Sequence, residues 1–192
     1  DIYLRDLADE SLHLVSNATQ AGAGGNARSP DVSADGGLVV FASAARNLTP
    51  TDSGGRDQIY LWERATGRLI LVSRSVSGAA ANAACRHPRI SEDGTTLIFD
   101  SSATNLGAPD AEHSQVYRFS RISGKLSHLS RTPGGAPGNG ESTRATISRD
   151  ARHVVFEADA ANLVDGDTNG KRDIFAHDAV TGRIERLSAR QG

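Results

Sequence analysis

The sequence predicts an all-β fold made of β-propeller blades, each with four antiparallel strands. Three observations predict it: a period of 57 to 58 residues, four short strand-like runs in each period, and no helical spacing sustained long enough for a helix. A Ser-x-Asp motif marks the period at Ser33, Ser91 and Ser148, which are 58 and 57 residues apart. Four-stranded units in tandem are typical of propellers, in which each blade buries its faces against its neighbours.

The strands of each repeat follow the Ser-x-Asp anchor in a fixed order. The predicted second strand is a run of β-branched and aromatic residues, at 38–41, 97–99 and 154–156. The predicted third strand follows an Asn-Leu pair, at 59–61, 116–118 and 174–176. The turn into the fourth strand carries a glycine in every repeat: Gly67, Gly124 and Gly182. Glycine there supplies the positive φ that a tight hairpin turn requires.

The N-terminal residues match only the second half of a repeat. Residues 1–6 resemble a third strand and residues 12–16 a fourth. We therefore divide the chain into a half blade at 1–17 and a first, second and third blade at 18–75, 76–132 and 133–190. Because the chain contains no methionine, we expect a processed chain or a fragment of a larger propeller. A second copy completing the ring is the other possibility, and a four-bladed ring from one chain would need an irregular fourth blade.

Composition argues against several classes of function. The formal net charge of −2 gives no electrostatic basis for binding nucleic acid. No apolar run approaches the roughly 20 residues of a membrane-spanning helix, so we expect no membrane insertion. Cys85 is the single cysteine, and without a partner for an internal disulfide we expect it to be a small apolar filler rather than a catalytic thiol.

One loop of the third blade has the spacing of a calcium site. Asp165, Asp167, Asn169 and Asp173 place side-chain oxygens at positions one, three, five and nine, and Lys171 offers its carbonyl at position seven. Calcium gathers roughly six to eight such oxygens. The EF-hand glutamate at position twelve is absent, so the loop is more similar to the calcium hairpins of integrin-type propellers. The alternative is an Asp- and Asn-rich turn that satisfies its own backbone amides without metal.

Cations precede the anchor of each blade, on the predicted first strands. They are Arg28, Arg86, His87 and Arg144. First strands line the central channel of a propeller, so a rotational arrangement would bring these side chains to one rim. Convergent guanidinium groups suit a carboxylate, a phosphate or a peptide terminus. The alternative is that each arginine pairs locally with an acid such as Asp31 or Glu141.

Sequence motifs of the repeats, some of them complete in one repeat only, extend beyond the strands. They are Ser-x-Asp-Gly at 33–36 and 91–94, Asp-x-Asn-Gly-x-x-Asp-Ile-Phe at 167–175 and Asp-x-x-Thr-Gly at 178–182. Together they resemble the TolB-like group of WD-type propeller repeats over nearly the whole chain. The resemblance implies a bacterial, periplasmic or secreted ring of roughly six to eight blades, usually without chemistry of its own. The third blade departs from the pattern, because Ala151 stands where the other blades have glycine.

Catalytic signatures are scarce in this sequence. Its six histidines include no His-x-x-x-His pair for zinc, and no Gly-x-Ser-x-Gly elbow is present. We therefore expect a non-catalytic propeller segment that binds or scaffolds a protein or peptide partner. The alternative is a propeller domain that gates or supports a hydrolase or peptidase encoded elsewhere in a longer chain.

Overall fold

The computed structural model describes residues 1–17, 24–108 and 112–188. The strands are β1 (Tyr3–Arg5), β2 (Leu12–Leu14), β3 (Ala27–Val32), β4 (Leu38–Ser43), β5 (Gln58–Glu63), β6 (Arg68–Leu71), β7 (Cys85–Ile90), β8 (Thr96–Ser101), β9 (Gln115–Ser120), β10 (Lys125–His128), β11 (Ser142–Ile147), β12 (His153–Ala158), β13 (Asp173–Asp178) and β14 (Ile184–Arg186). Within these residues the helical structure is one 3-10 turn at Thr104–Leu106. None of the described residues forms a helix of the length and apolarity needed to cross a membrane.

The strands form one two-stranded sheet and three four-stranded sheets, all antiparallel. The half blade is β1-β2, and the three blades are β3 to β6, β7 to β10 and β11 to β14, each in sequence order. This is the meander of a propeller blade, so the predicted fold of three full blades and a half blade is confirmed. The sheets lie inside the predicted blade ranges, although the limits at 18 and 190 fall outside the described residues.

The sheets pack face against face, and alternate residues of one strand serve two neighbours. In β4, Val40 lies in a buried cluster with Leu97 of the second blade. The next residue, Phe41, points the other way and lies in a cluster with Ile2 of the half blade. The period of two along a strand therefore gives each blade two apolar faces. We call the interface between the first and second blades the first seam, and that between the second and third blades the second seam.

The first strands of the blades lie side by side. β7 contacts β3 on one side and β11 on the other, whereas no contact of that extent joins β6, β10 and β14 within the described ranges. The sheets therefore fan outward from their first strands, as propeller blades do. We call the edge formed by β3, β7 and β11 the inner rim.

The Ser-x-Asp anchor closes the turn between the first and second strands. In the first blade the Ser33 hydroxyl donates to Asp35 over 2.6 Å and accepts the Leu38 amide over 3.0 Å. The other two blades repeat both bonds at Ser91 and Ser148. The hydrogen bond from Ser33 lowers the pKa of Asp35, so the turn favours the carboxylate form.

A second repeated device joins each blade to the next one. The Gln58 side chain accepts a hydrogen bond from the Ser73 hydroxyl over 2.7 Å and donates to the Ala81 carbonyl, which precedes the second blade's first strand, over 3.0 Å. Gln115 makes the same pair of bonds, with Ser130 and with a carbonyl that precedes β11. One buried glutamine, which we call the glutamine staple, therefore links the two blades at each seam by hydrogen bonds.

Candidate functional site

The first strand of each blade is irregular where the predicted cations lie. A register shift interrupts its pairing with the second strand. Positive φ angles occur at the equivalent residues Ser29 (53°), His87 (50°) and Arg144 (52°). A non-glycine residue in this conformation costs about 1 kcal/mol or more. Arg144 therefore corresponds to His87, while the equivalent of Arg86 in the third blade is Thr143.

A cavity of about 180 Å³ opens at the inner rim of the first seam. Its lining residues are Arg28, Ser29, Ala42, Asp57, Arg86 and His87. Asp57 reaches it because Asp57 directly precedes β5, and its carbonyl accepts the amide of Cys85, at the start of β7, over 2.7 Å. Three of the four predicted cations thus come together in one seam, and Arg144 does not line this cavity.

The polar groups of the cavity are incompletely paired. Arg28 Nη1 lies 3.6 Å from Asp57 Oδ2. The other oxygen, Asp57 Oδ1, is buried without a hydrogen-bond partner among the described residues, which costs roughly 1–3 kcal/mol. The exposed Arg86 guanidinium makes no hydrogen bond or ion pair within the same part of the chain. The cavity is therefore lined by an unpaired guanidinium and by a carboxylate that is incompletely paired.

The corresponding space in the second seam is filled by Asp100. Ala42 on β4 and Asp100 on β8 hold the same register position opposite their first strands. Asp100 Oδ1 lies 2.8 Å from His87 Nδ1 and accepts the Arg144 amide over 3.2 Å. Burial raises the pKa of Asp100, and the hydrogen bond with His87 opposes that rise. A carboxylate therefore bridges the second and third blades where the first seam has only a methyl group.

The arginines on the third-blade side have acidic partners. Arg144 Nη1 lies 3.7 Å from Glu157. Arg172 lies within ion-pair distance of Glu141, Glu157 and Asp159. Glu141, one of the two acids named from the sequence as possible local partners of these arginines, therefore contacts Arg172. At this part of the rim the local-pairing alternative describes the contacts, with Glu157 as the partner of Arg144.

Two carboxylates of the rim were not identified from the sequence. Asp57 lies in a loop where the repeats differ, so no repeated position marked it. Asp100 did give a signal, because it is a charged residue directly after an apolar strand run, where burial demands a partner. Asp31, the other acid named from the sequence as a possible local partner of the arginines, accepts the Ile90 amide over 2.9 Å.

In the predicted calcium loop, two of the carboxylates face a guanidinium. Arg186 Nη1 lies 2.6 Å from Asp167 Oδ1 and 3.6 Å from Asp173 Oδ2. The Asn169 amide group donates to Asp173 over 2.7 Å, and Asp165 is exposed. A cation already lies between two of the predicted ligands.

The remaining contacts of this loop are internal. The Lys171 amide donates to the Asn169 side chain over 2.7 Å. The Ser188 hydroxyl donates to Asp173 and lowers the pKa of that carboxyl group. Across residues 1–17, 24–108 and 112–188, no three His, Cys, Asp or Glu side chains are grouped so that they could hold a metal ion. These contacts describe an ion-paired turn, and calcium binding stays a prediction.

Cys85 lies beside the cavity at the start of β7, and its side chain is fully buried. Burial raises the pKa of its thiol to about 12. The thiol is therefore protonated at neutral pH and lacks the thiolate that nucleophilic or metal-binding cysteines need. The side chain packs in the first-seam cluster, as expected of an apolar filler.

Comparison with solved structures identifies the fold, whereas comparison of the sequence with known families finds no match. No family model and no curated protein matches the sequence. Among solved structures, the chain is similar to TolB from Acinetobacter baumannii at 18% identity and a TM-score of 0.56, covering 99% of this chain and 38% of that one. It is also similar to an oligogalacturonate lyase in complex with manganese, at 14% identity and a TM-score of 0.62, covering 99% of this chain and 48% of that one.

A third similar structure is a prolyl endopeptidase, at 13% identity and a TM-score of 0.59, covering 99% of this chain and 26% of that one. The chain thus spans less than half the length of each of these proteins. Identities this low carry information on fold alone. The chain has the fold of consecutive blades of a TolB-like β-propeller.

Proposed function

We propose that this chain is a non-catalytic propeller segment that binds or scaffolds a protein or peptide partner. The first-seam cavity would bind acidic groups of that partner. The unpaired guanidinium of Arg86 carries the proposal. Arginine recognises carboxylates through paired, charge-assisted hydrogen bonds. Arg28 and His87 flank the same cavity, so an acidic segment would meet several donors at once.

The test uses an N-acetylated tetraglutamate peptide with a free carboxyl terminus. Arg86→Ala should weaken its binding about tenfold or more, the effect of losing a charge-assisted pair. Isothermal titration calorimetry gives the affinity, and circular dichroism should show an unchanged fold because Arg86 is exposed. Arg144→Ala is the matched control, since Arg144 lies near Glu157 outside the cavity. Equal affinities for wild type and Arg86→Ala would remove the cavity as the binding site.

A propeller that gates or supports a hydrolase is the second candidate. It is favoured by the likeness in fold to a prolyl endopeptidase. A hydrolase segment in the same polypeptide distinguishes this candidate from the first. In that case Arg86→Ala should change the cleavage rate of acidic peptides relative to neutral ones, and an unchanged ratio would contradict gating through this cavity.

Calcium at the Asp165–Asp173 loop is a separate proposal, supported by the spacing of its oxygens. The ion must displace Arg186 from Asp167. We expect Ca²⁺ to raise the melting temperature, Asp167→Ala to abolish that rise, and Arg186→Ala to enlarge it because the competing cation is gone. No response to Ca²⁺ or EDTA in either the wild type or Arg186→Ala would leave the ion-paired turn as the whole account.

We also propose that the protein is periplasmic or secreted and that further blades complete the ring. The two end faces of the blade stack expose apolar side chains, among them Tyr3 (56% exposed) and Leu187 (50%). Such surface is typical of an interface. A second copy of this chain is one source of the missing blades, and a monomeric mass in solution would contradict it. Cell fractionation tests the location.

A further inference from the structure

The first-seam cavity differs from a simple anion site in one respect. A site for a phosphate or an isolated carboxylate needs only donors, and Arg28, Arg86 and Ser29 would supply them. Asp57 adds an acceptor, and its Oδ1 is buried without a partner among the described residues. The ligand that suits both features carries a carboxylate and, close to it, an N–H or O–H donor.

The charge of the lining residues decides whether the cavity binds an anionic or a cationic group of such a ligand. Arg28 and Arg86 together outweigh the single charge of Asp57. The second carboxylate, Asp100, lies behind His87 and is engaged by that ring over 2.8 Å and by a backbone amide. The cavity therefore favours a net anion, which argues against a peptide amino terminus or a side-chain ammonium group.

Size narrows the choice further. About 180 Å³ is smaller than the roughly 300–1,000 Å³ of pockets that enclose whole drug-sized ligands. It suits one terminal group, with the rest of the ligand leaving along the open rim. The rim edge is formed by three first strands side by side, which gives an extended chain a surface to follow.

We propose, building on the function above, that the first-seam cavity captures the carboxyl-terminal residue of a peptide. The terminal carboxylate pairs with the Arg86 guanidinium, and the N–H of the same residue donates to the Asp57 carboxylate, whose Oδ2 lies 3.6 Å from Arg28 Nη1. His87 borders the terminal residue, with its Nδ1 held by Asp100. A free amino acid offers a similar pair of groups but lacks the preceding chain that would lie along the rim.

The experiment compares five probes by NMR titration of the wild-type chain. They are N-acetyl-trialanine with a free carboxyl terminus, its C-terminal amide, its analogue N-methylated at the last residue, free alanine, and N-acetyl-tetraglutamate amide, which has acidic side chains but no free carboxyl terminus. The free acid should bind, and amidation should cost about tenfold or more because the charge-assisted pair is lost. N-methylation should weaken binding by a similar factor because Asp57 loses its donor, and free alanine should bind more weakly than the free acid.

Variants assign these effects to residues. Arg86→Ala should erase the difference between acid and amide, and Asp57→Ala the difference between the N–H and N-methyl peptides. Arg144→Ala, on the second seam, should keep both differences. Equal binding of acid and amide overturns the proposal. If only N-acetyl-tetraglutamate amide binds, acidic side chains are the ligand and the proposed function survives without this inference. If no peptide binds, both fall.

Discussion

The first and second seams are built from equivalent strands of successive blades and differ in how their polar groups are paired. In the first seam, Ala42 and Asp57 line a cavity, and Asp57 Oδ1 is buried without a partner among the described residues. In the second, Asp100 occupies the same register position and engages the His87 ring and the Arg144 amide. One methyl group stands in the first seam where one paired carboxylate stands in the second.

This difference shows which parts of a repeat are fixed. The Ser-x-Asp turn and the glutamine staple recur at both seams, because every blade needs its backbone groups satisfied. The side chains that face the rim are free to vary once the backbone is held. Polar side chains can therefore be left unpaired and available to a ligand in one seam, while those of the neighbouring seam pair with each other and stabilise the fold.

The largest expected effect comes from reopening the second seam with Asp100→Ala. The substitution leaves the Arg144 amide without its acceptor and removes the buried partner of His87, so we expect a loss of about 2–3 kcal/mol in the free energy of unfolding. Urea denaturation at pH 7 measures it.

The same substitution in the first seam is the matched control. Asp57→Ala removes an oxygen that has no partner and an ion pair with the half-exposed Arg28 (55% exposed side chain), so any loss in the free energy of unfolding should not exceed about 1 kcal/mol. Equal losses for Asp57→Ala and Asp100→Ala would show that the two seams do not differ in the way the contacts indicate.

Acid should weaken the first seam through His128, whose ring lies against Tyr117 of the first-seam cluster. His128 pairs with Tyr117 at the register position that Leu71 holds opposite Tyr60 in the first blade. Burial lowers the pKa of His128 to about 4, below the ordinary 6.5. Above pH 6.5 both folded and unfolded chains are neutral at this group. As the pH falls from 6.5 towards 4, only the unfolded chain takes up the proton, so stability is lost.

The loss at pH 5 should be on the order of 2 kcal/mol from His128, and urea denaturation at pH 7 and pH 5 measures it. His177, whose pKa is also lowered by burial, acts in the same direction. His128→Leu should flatten the pH dependence, and the reciprocal Leu71→His should steepen it. The carboxyl groups with lowered pKa values, such as Asp93, lose their stabilisation at lower pH, below about 3.8. An unchanged slope in His128→Leu would contradict this account.

The sequence was sufficient for the fold because the fold depends on features that repeat. The Ser-x-Asp anchors and the apolar strand runs, such as 38–41, mark every blade and need no long-range information. The site depends on features that do not repeat. The bulge that aligns Arg144 with His87 arises from backbone conformation, and Asp57 approaches Arg86 only because two blades meet there. A contact between two side chains of neighbouring blades occurs once, so it leaves no periodic pattern in the sequence.

The smallest expected effect concerns the turn residue that follows each anchor aspartate. Gly94 has a φ of 68° and faces Leu38 across the first seam, so that an added Cβ would lie 2.4 Å from the Leu38 Cδ1 atom. Gly94→Ala should therefore cost about 1–2 kcal/mol, from the left-handed backbone and from displacing Leu38.

The third blade already carries alanine at this position, at a φ of 58°. The shorter Thr96 stands in the second blade where the first has Leu38. Ala151→Gly should then raise the free energy of unfolding by up to about 1 kcal/mol, the backbone strain released less the burial that the methyl group loses. Urea midpoints of both variants give the two values. If Gly94→Ala cost no more than Ala151→Gly gained, backbone strain alone would explain both, and the contact with Leu38 would not distinguish the first seam from the second.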